Sequence, residues 1–184
     1  MKLKQSAASR FIRRVLVPRE IEALGPTPST LTPSPPTMSA RAAVAWLAQG
    51  HALPEPASKE DRTTPANIPG TYLPLWRAAQ FLAGRFAAKE AAIKAHPHLR
   101  GLTLQDVWIA CRGEIEVVES QDEAHATAQD YLVRKGSGPP LAFVRVSTTT
   151  TSGTSVIIEQ EARVSISHDG EYASAVCLGV ENTS

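Results

Sequence analysis

The hydrophobic and polar positions near the start of the chain follow the period of an amphipathic helix. In the stretch SRFIRRVLVPREIEAL, Phe11, Val15 and Leu16 fall on one side and arginines fall on the other. Pro18 cannot continue a helix, but it suits the first position of a new one. The pattern therefore predicts a helix that breaks at Pro18, followed by a second short helix that ends at Gly25.

A long segment, residues 25–70, has the composition of a loop. It is rich in Pro, Ser and Thr, which favour an extended, solvated backbone. Within it, only the alanine-rich stretch 40–50 favours a short helix. We therefore predict that 25–70 is an insertion or long loop between a basic N-terminal helix, 1–24, and the main body of the domain, 71–184.

The main body alternates between helical and strand patterns. The predicted elements are a helix over 72–95, one or two strands over 102–120 with a turn at Arg112-Gly113, a helix over 122–136, a strand over 139–147, and two or three strands over 156–180. A low-complexity loop, 148–155, precedes the last strands. Asp169-Gly170 is a turn signal, so the final strands form a hairpin. This order predicts helices packed on an antiparallel sheet, an α+β fold.

The charges are unevenly distributed, although the net charge of the 184-residue chain is only +1. The first 19 residues contain six bases and no acid. A basic end of this kind faces an acidic partner, forms a solvated surface, or belongs to a mitochondrial targeting sequence. The low net charge gives no general attraction to nucleic acid or to an anionic membrane.

The cysteines and the lengths of the apolar runs indicate the cellular compartment. Cys111 and Cys177 show no metal-binding spacing such as Cys-x-x-Cys, and we expect both to act as small apolar residues in a reducing compartment. No apolar run approaches the ~20 residues that span a bilayer, and no secretory signal opens the chain. The sequence therefore predicts an intracellular protein, with an apolar fraction of 42% that suffices for a core.

The alanine-rich helix carries charges at unusual positions. The stretch GRFAAKEAAIKA holds Arg85, Lys89, Glu90 and Lys94. Glu90 and Lys94 form an i,i+4 pair, and Arg85 and Lys89 form a like-charge pair that an anion between them would relieve. An acid beside several bases is what a site for Mg²⁺ and phosphate needs, because Mg²⁺ takes one or two carboxylates and completes its shell with water and phosphate oxygens. A simple surface ion pair is the alternative.

His168 lies at the end of a predicted strand, in VSISHDGEYASAV, where side chains project toward loops. It is either a plain hydrogen-bonding residue or part of a site. Ser167, His168 and Asp169 do not form a hydrolase triad, because neighbours along a strand point apart and triad members meet through the fold.

Together these segments resemble one enzyme family. FLAGRFAAKEAAIKA, 81–95, and VSISHDGEYASAV, 164–176, resemble the two signature segments of the holo-acyl-carrier-protein synthase type of 4′-phosphopantetheinyl transferase. RFIRRVLVPREIEAL, 10–24, resembles the helix and turn near that family's start. The resemblance covers most of the chain outside 25–70, the threonine tract and parts of 111–137. It implies a 4′-phosphopantetheinyl transferase-like α+β fold.

The resemblance also implies a reaction. Phosphopantetheine would pass from coenzyme A to a serine of a carrier protein, with Mg²⁺ required and adenosine 3′,5′-bisphosphate released. Such phosphoryl transfer rests on positioning and charge neutralisation. By the family's pattern, Glu90 is a metal ligand, Lys94 contacts phosphate and assists the leaving group, and His168 borders the reacting phosphate as a third catalytic residue.

The family's pattern extends these roles to binding. The coenzyme A-binding residues that it implies are Arg85, Lys89, Lys94, Ser167 and His168. The carrier-docking face that it implies consists of Arg10, Arg13 and Arg14. Carrier proteins are acidic, so complementary charge would steer them to this basic face.

The sequence departs from the family in two places. The family opens with a strand carrying Gly-x-Asp-Ile, whose aspartate is the second metal carboxylate. This sequence begins MKLKQSAASRF, already at the helix, so we expect the first family strand to be missing. The chain would then be a truncated version, use a substitute acid, or have an impaired metal site. The family's Gly-Lys-Pro is also replaced by Gly138-Pro139-Pro140, which lacks the lysine.

Three functions therefore stay open. The first is the Mg²⁺-dependent transferase, acting on an acyl carrier protein or carrier domain of fatty-acid synthesis, in mitochondria or cytoplasm and, by analogy, as a homotrimer. The second is a catalytically impaired or truncated relative that only binds coenzyme A or a carrier. The third is an α+β domain whose charged helix is purely structural.

Overall fold

The chain forms two compact units in the computed structural model, which describes residues 6–25, 39–51, 73–111, 115–118, 130–133, 138–149, 153 and 155–179. The first unit comprises residues 1–86 and 167–174, and the second comprises residues 87–166 and 175–184. Each unit has its own cluster of buried apolar side chains.

Two helices, α1 (Ala7–Val15) and α2 (Pro18–Glu22), open the first unit. The hydroxyl of Ser6 caps α1 by accepting a hydrogen bond from the Ser9 N–H at 3.1 Å. Pro18 occupies the first turn of α2, where its missing N–H has no intrahelical partner to lose. Gly25 follows the second helix with a φ of 89°. The predicted break at Pro18 and the end before Gly25 are confirmed.

The buried face of α1 differs from the predicted one. Ile12 is 1% exposed, and Val15 and Leu16 are buried with it. Phe11, predicted on the apolar side, is 51% exposed, so that placement is wrong. Residues three and four apart share a helix face, and the face set by Ile12 and Val15 turns the neighbouring Phe11 outward.

Helix α3 (Ala40–Ala48) lies inside the segment 25–70 and confirms the predicted short helix. Its Val44 is fully buried in the first core. The Ser9 hydroxyl donates a hydrogen bond to the carbonyl oxygen of Ala48 at 2.9 Å and so ties α1 to α3. This part of the segment is therefore packed, and most of the remainder of 25–70 lies outside the described residues.

The long helix α4 (Leu73–Ala95) confirms the helix predicted over 72–95. Ala78 and Leu82 belong to the core of the first unit, beside α1 and α3. Ala88 and Ala92 belong to the core of the second unit, where both are fully buried. Small residues at this spacing present a narrow helix face to each core.

The second unit is built on a sheet in the order β1-β4-β5-β6, and a separate pair joins β2 and β3. The strands are β1 (Val107–Cys111), β2 (Ile115–Val118), β3 (Asp130–Val133), β4 (Pro140–Thr149), β5 (Ser155–Asp169) and β6 (Tyr172–Leu178). The pairs β1–β4 and β4–β5 are antiparallel. The predicted α+β arrangement with an antiparallel sheet is confirmed. The tip of the β5–β6 hairpin, 167–174, belongs to the first unit.

Two details of the predicted strands and helices change, and a third is untested. The helix predicted over 122–136 is wrong at Asp130–Val133, which forms β3 and pairs with β2. Tyr131 and Val133 are strand-favouring residues, and this pairing outweighs the helical pattern of their surroundings. Strand β4 continues to Thr149, into the predicted loop 148–155. The turn predicted at Arg112-Gly113 lies outside the described residues.

The core of the second unit packs the alanines of α4 on one face of the sheet. Alternate residues of the central strands reach this core, among them Val107 on β1, Val144 on β4 and Ala162 on β5. The adjacent residues Trp108 on β1 and Phe143 on β4 point to the opposite face of the sheet. Their rings stack there, with centroids 4.2 Å apart. Both faces of β1 and β4 are therefore buried at this point.

The hairpin turn agrees with expectation. Gly170 has a φ of 54°, a conformation that favours glycine, and the predicted hairpin is confirmed. Cys111 and Cys177 are free thiols. Burial raises the pKa of the Cys177 thiol, which fits a small apolar role. None of the helices in the described part of the chain has the length and hydropathy required to cross a membrane.

The two neighbouring apolar residues of α1 provide a test of the packing. We expect Ile12→Ala to lower the free energy of unfolding by about 2–4 kcal/mol, because it opens a cavity in the first core. Phe11→Ala should lower it by less than about 1 kcal/mol, because Phe11 is half exposed. Urea unfolding followed by circular dichroism measures both. Equal losses for the two variants would contradict the orientation of α1.

Candidate functional site

The outward face of α4 in the second unit carries Glu90 and Lys94. Their side chains are 38% and 78% exposed, and Lys94 Nζ lies 3.8 Å from Glu90 Oε2. The pair has the i,i+4 order that suits a helix, and in this exposed position it contributes little to stability. The apolar neighbours of Glu90 on the helix therefore do not enclose its carboxylate. Both groups are therefore open to a ligand.

Lys89 points in another direction, although it adjoins Glu90 in the chain. Its side chain is fully buried, and its Nζ donates a hydrogen bond to the carbonyl oxygen of Leu104 at 3.1 Å. A buried ammonium group is costly unless hydrogen bonds satisfy it, and the Leu104 carbonyl supplies one of them. Lys89 thus has a structural contact in the second unit, and its contact with coenzyme A stays a prediction.

Arg85 belongs to the first unit and contacts α2. Its Nη1 lies 3.9 Å from Glu20 Oε1, and both side chains are largely buried. The guanidinium also lies 5.0 Å from the centroid of the Phe81 ring, a cation–π arrangement. The arginine that was predicted to meet an external anion is therefore paired with an acid of its own chain.

Ser167 and His168 lie near the end of β5, in the part of the hairpin that belongs to the first unit. Both side chains are exposed, which leaves their polar atoms accessible. The adjoining turn is fixed by the side chain of Gln80, whose Nε2 donates a hydrogen bond to the Gly170 carbonyl at 3.1 Å. The predicted position of His168 at a strand end is confirmed, and its chemical role stays a prediction.

The three arginines of α1 are exposed, as a docking face requires. Arg13 and Arg14 also have contacts within the protein, and Arg13 Nη2 donates a hydrogen bond to the Ala48 carbonyl at 3.1 Å. The exposed ring of Phe11 lies on the same helix beside Arg10. This surface therefore combines positive charge with an aromatic side chain, and its partner stays a prediction.

The predicted site residues are thus distributed over both units. Glu90, Lys94 and Lys89 lie in the second unit, and the structure brings Glu90 and Lys94 into contact there. The residues that lie in the first unit are Arg85, Ser167, His168, Arg10, Arg13 and Arg14. Among the residues that the structure describes, no group of three or more His, Cys, Asp and Glu side chains is arranged to hold a metal ion.

Glu20 is a residue of this region that the sequence interpretation missed. Besides facing Arg85, its Oε2 accepts a hydrogen bond from the Val17 N–H at 2.9 Å, across the break between α1 and α2. An acid in the first turn after a helix-starting proline is a recognisable capping signal, and Pro18-Arg19-Glu20 displays it. Glu20 thus positions both the start of α2 and the side chain of Arg85.

Two glutamates on α2 provide a matched test of this role. We expect Glu20→Gln to lower the free energy of unfolding by about 1–3 kcal/mol, because the amide can still accept from Val17 but loses the charge that faces Arg85. Glu22→Gln, on the exposed side of the same helix, should leave stability within about 0.5 kcal/mol of wild type. Thermal unfolding measures both, and indistinguishable curves would contradict the assignment.

Comparison with known proteins shows one similarity in sequence. Over 102 residues, 55% of this chain, the sequence is 34% identical to a holo-acyl-carrier-protein synthase of Corynebacterium efficiens. The chain spans 62% of the length of that relative. No protein-family profile matches the chain, and no solved structure matches it. A moderate, partial similarity to a holo-acyl-carrier-protein synthase therefore accompanies an α+β fold with an exposed acid–base pair on its long helix.

Proposed function

We propose that this chain is a 4′-phosphopantetheinyl transferase of the holo-acyl-carrier-protein synthase type. The observation that carries the proposal is the exposed pair of Glu90 and Lys94 on α4, which presents a carboxylate and an ammonium group 3.8 Å apart toward solvent. The partial similarity to the Corynebacterium efficiens synthase supports it. The substrates are coenzyme A and the apo form of an acyl carrier protein, and the products are the holo carrier and adenosine 3′,5′-bisphosphate.

A magnesium ion fits this pair as far as the described residues go. The carboxylate of Glu90 is accessible, and Mg²⁺ commonly uses one or two protein carboxylates together with water and substrate phosphates. Glu90 would be the ligand from α4, and the bound ion would supply charge neutralisation at the phosphates. Within the described residues, Glu90 does not belong to a group of three or more His, Cys, Asp and Glu side chains.

The protein side chains provide the remaining positioning and charge. Lys94, on a flexible and exposed stem, moves from Glu90 to the phosphate that leaves with the nucleotide and stabilises its negative charge. Ser167 and His168 are exposed near the end of β5, so their polar atoms can donate hydrogen bonds to a phosphate group. Transfer joins the serine oxygen of the carrier to the phosphorus that bears pantetheine and breaks the bond from that phosphorus to the bridging pyrophosphate oxygen. The bridging oxygen leaves with its electron pair on adenosine 3′,5′-bisphosphate, and the serine proton passes to solvent.

The basic face of α1 receives the carrier. Arg10, Arg13 and Arg14 are exposed, and an acidic carrier helix would be steered to them by complementary charge. This interaction predicts a transfer rate that falls as ionic strength rises, since the Debye length shortens from about 10 Å at 0.1 M to about 3 Å at 1 M salt.

Replacement of Glu90 tests the site. We expect Glu90→Gln to lower Mg²⁺-dependent transfer by about hundredfold or more, because it removes the carboxylate from α4. Transfer is read as the gain of phosphopantetheine mass on an apo acyl carrier protein incubated with coenzyme A and Mg²⁺. The unfolding curve should be unchanged, because the ion pair with Lys94 is exposed.

Glu22→Gln, on α2, is the control and should transfer at the wild-type rate. Full activity of Glu90→Gln would contradict the assignment of Glu90. Loss of activity in both variants would point to a general effect of charge instead of a metal ligand. Saturable binding of coenzyme A by the wild type, with no transfer under any condition, would favour the alternative of a non-catalytic binding protein.

A further inference from the structure

We infer that the second unit contains a separate binding site for a phosphorylated small molecule, held by Arg100 and Arg145. The site is a cavity of about 710 Å³, here named the anion cavity. Its walls are the loop 98–102 after α4, Asp106, the strand positions 145–147 on β4, and Ser155 and Ile157 at the start of β5. Ligand sites commonly have volumes of roughly 300–1,000 Å³, so the cavity is large enough for a small organic phosphate.

Both arginines of the anion cavity are available to an external anion. The side chains of Arg100 and Arg145 are exposed, and neither has a hydrogen bond or ion pair through its guanidinium in the described part of the chain. Two arginines that line one concave surface suit phosphate oxygens, because the planar guanidinium fork can donate two parallel hydrogen bonds.

The acid that lines the cavity does not neutralise these arginines by direct contact. Asp106 Oδ2 accepts hydrogen bonds from the Thr103 N–H at 2.9 Å and from the Thr103 hydroxyl at 2.6 Å. Oδ2 of this carboxylate is therefore held by the turn that precedes β1. The side chain of His98 adds further donor capacity at the rim.

Two hydrogen bonds hold the walls of the cavity in place. The Arg145 N–H donates to the Asp106 carbonyl at 2.8 Å and fixes β4 against the turn. The hydroxyls of Ser147 and Ser155 lie 2.9 Å apart and connect β4 with β5. Either serine has a further lone pair or proton for a ligand, so the cavity offers preformed polar contacts beside its arginines.

Buried histidine packing secures the loop that carries Arg100. The ring of His96 is fully buried, and its Nδ1 donates a hydrogen bond to the Ala92 carbonyl at 2.7 Å, since a carbonyl can only accept. The Leu99 N–H donates to the His96 carbonyl at 3.0 Å. The turn that leads to Arg100 is thus anchored to the last turn of α4.

The composition of the cavity indicates the class of ligand. Leu99, Leu102, Val146 and Ile157 supply apolar walls, and the arginines and serines supply the anion contacts. A phosphate group with a partly apolar body matches both features. None of the residues predicted to bind coenzyme A lines this cavity, so the inference extends beyond the proposed transferase site and does not depend on it.

Two probes test this site by isothermal titration calorimetry on the whole chain. Inorganic pyrophosphate tests phosphate recognition alone, and adenosine 3′,5′-bisphosphate tests whether a nucleoside body adds affinity. We expect saturable binding of pyrophosphate, weakened about tenfold or more in the double variant Arg100→Gln/Arg145→Gln. If the nucleotide binds more tightly than pyrophosphate and the double variant weakens both to the same extent, the site recognises nucleotide phosphates. If the two probes bind with equal affinity, the site recognises free phosphate.

Arg163→Gln is the matched control, because Arg163 is an exposed arginine on β5 that does not line the cavity. It should bind pyrophosphate as the wild type does, and circular dichroism should show all variants folded. Absence of saturable pyrophosphate binding to the wild type would overturn the inference, as would equal affinity of the double variant. Glu90→Gln should bind pyrophosphate as the wild type does. This binding therefore tests the anion cavity separately from the transferase proposal.

Discussion

Close packing of the α4 alanines on the sheet determines where the charged side chains of the second unit point. Ala88 and Ala92 are fully buried against the sheet, and only small side chains allow a helix to approach it this closely. Their burial turns the adjacent Lys89 inward as well, where Leu104 accepts its hydrogen bond. Glu90 and Lys94 are left on the outer face, so the position of this exposed pair is a consequence of the packed face of the helix.

A second constraint links the break at Pro18 to the charged residues of the first unit. Because Pro18 ends one helix and starts the next, Glu20 falls in a first turn where it can cap the backbone of Val17. The same carboxylate reaches Arg85, so the proline, the cap and the ion pair form one connected arrangement. Arg85 is thus held by an acid far from it in the chain, and its contact with coenzyme A stays a prediction.

The sequence predicts the elements that depend on local signals. Pro18, the alanines of α4 and Asp169-Gly170 each act within a few residues, and the helix break, the long helix and the hairpin all follow from them. Tertiary contacts decide the rest. The strand at Tyr131 depends on its pairing with β2, and the burial of Lys89 depends on the position of Leu104. The sequence pairs Glu90 with Lys94 at a spacing of four, but the exposure of the two side chains depends on the packing of α4.

Mass spectrometry of an apo acyl carrier protein tests the proposed transfer of phosphopantetheine most directly. The carrier is incubated with coenzyme A and residues 1–184, with and without Mg²⁺. In parallel, the carrier is incubated with a variant of residues 1–184 that has an added N-terminal strand carrying Gly-x-Asp-Ile. The aspartate of that strand supplies a second carboxylate. The account predicts a gain of one phosphopantetheine that requires Mg²⁺, from the chain itself or from its extended form. Absence of this gain with both forms, although both are folded, would contradict it.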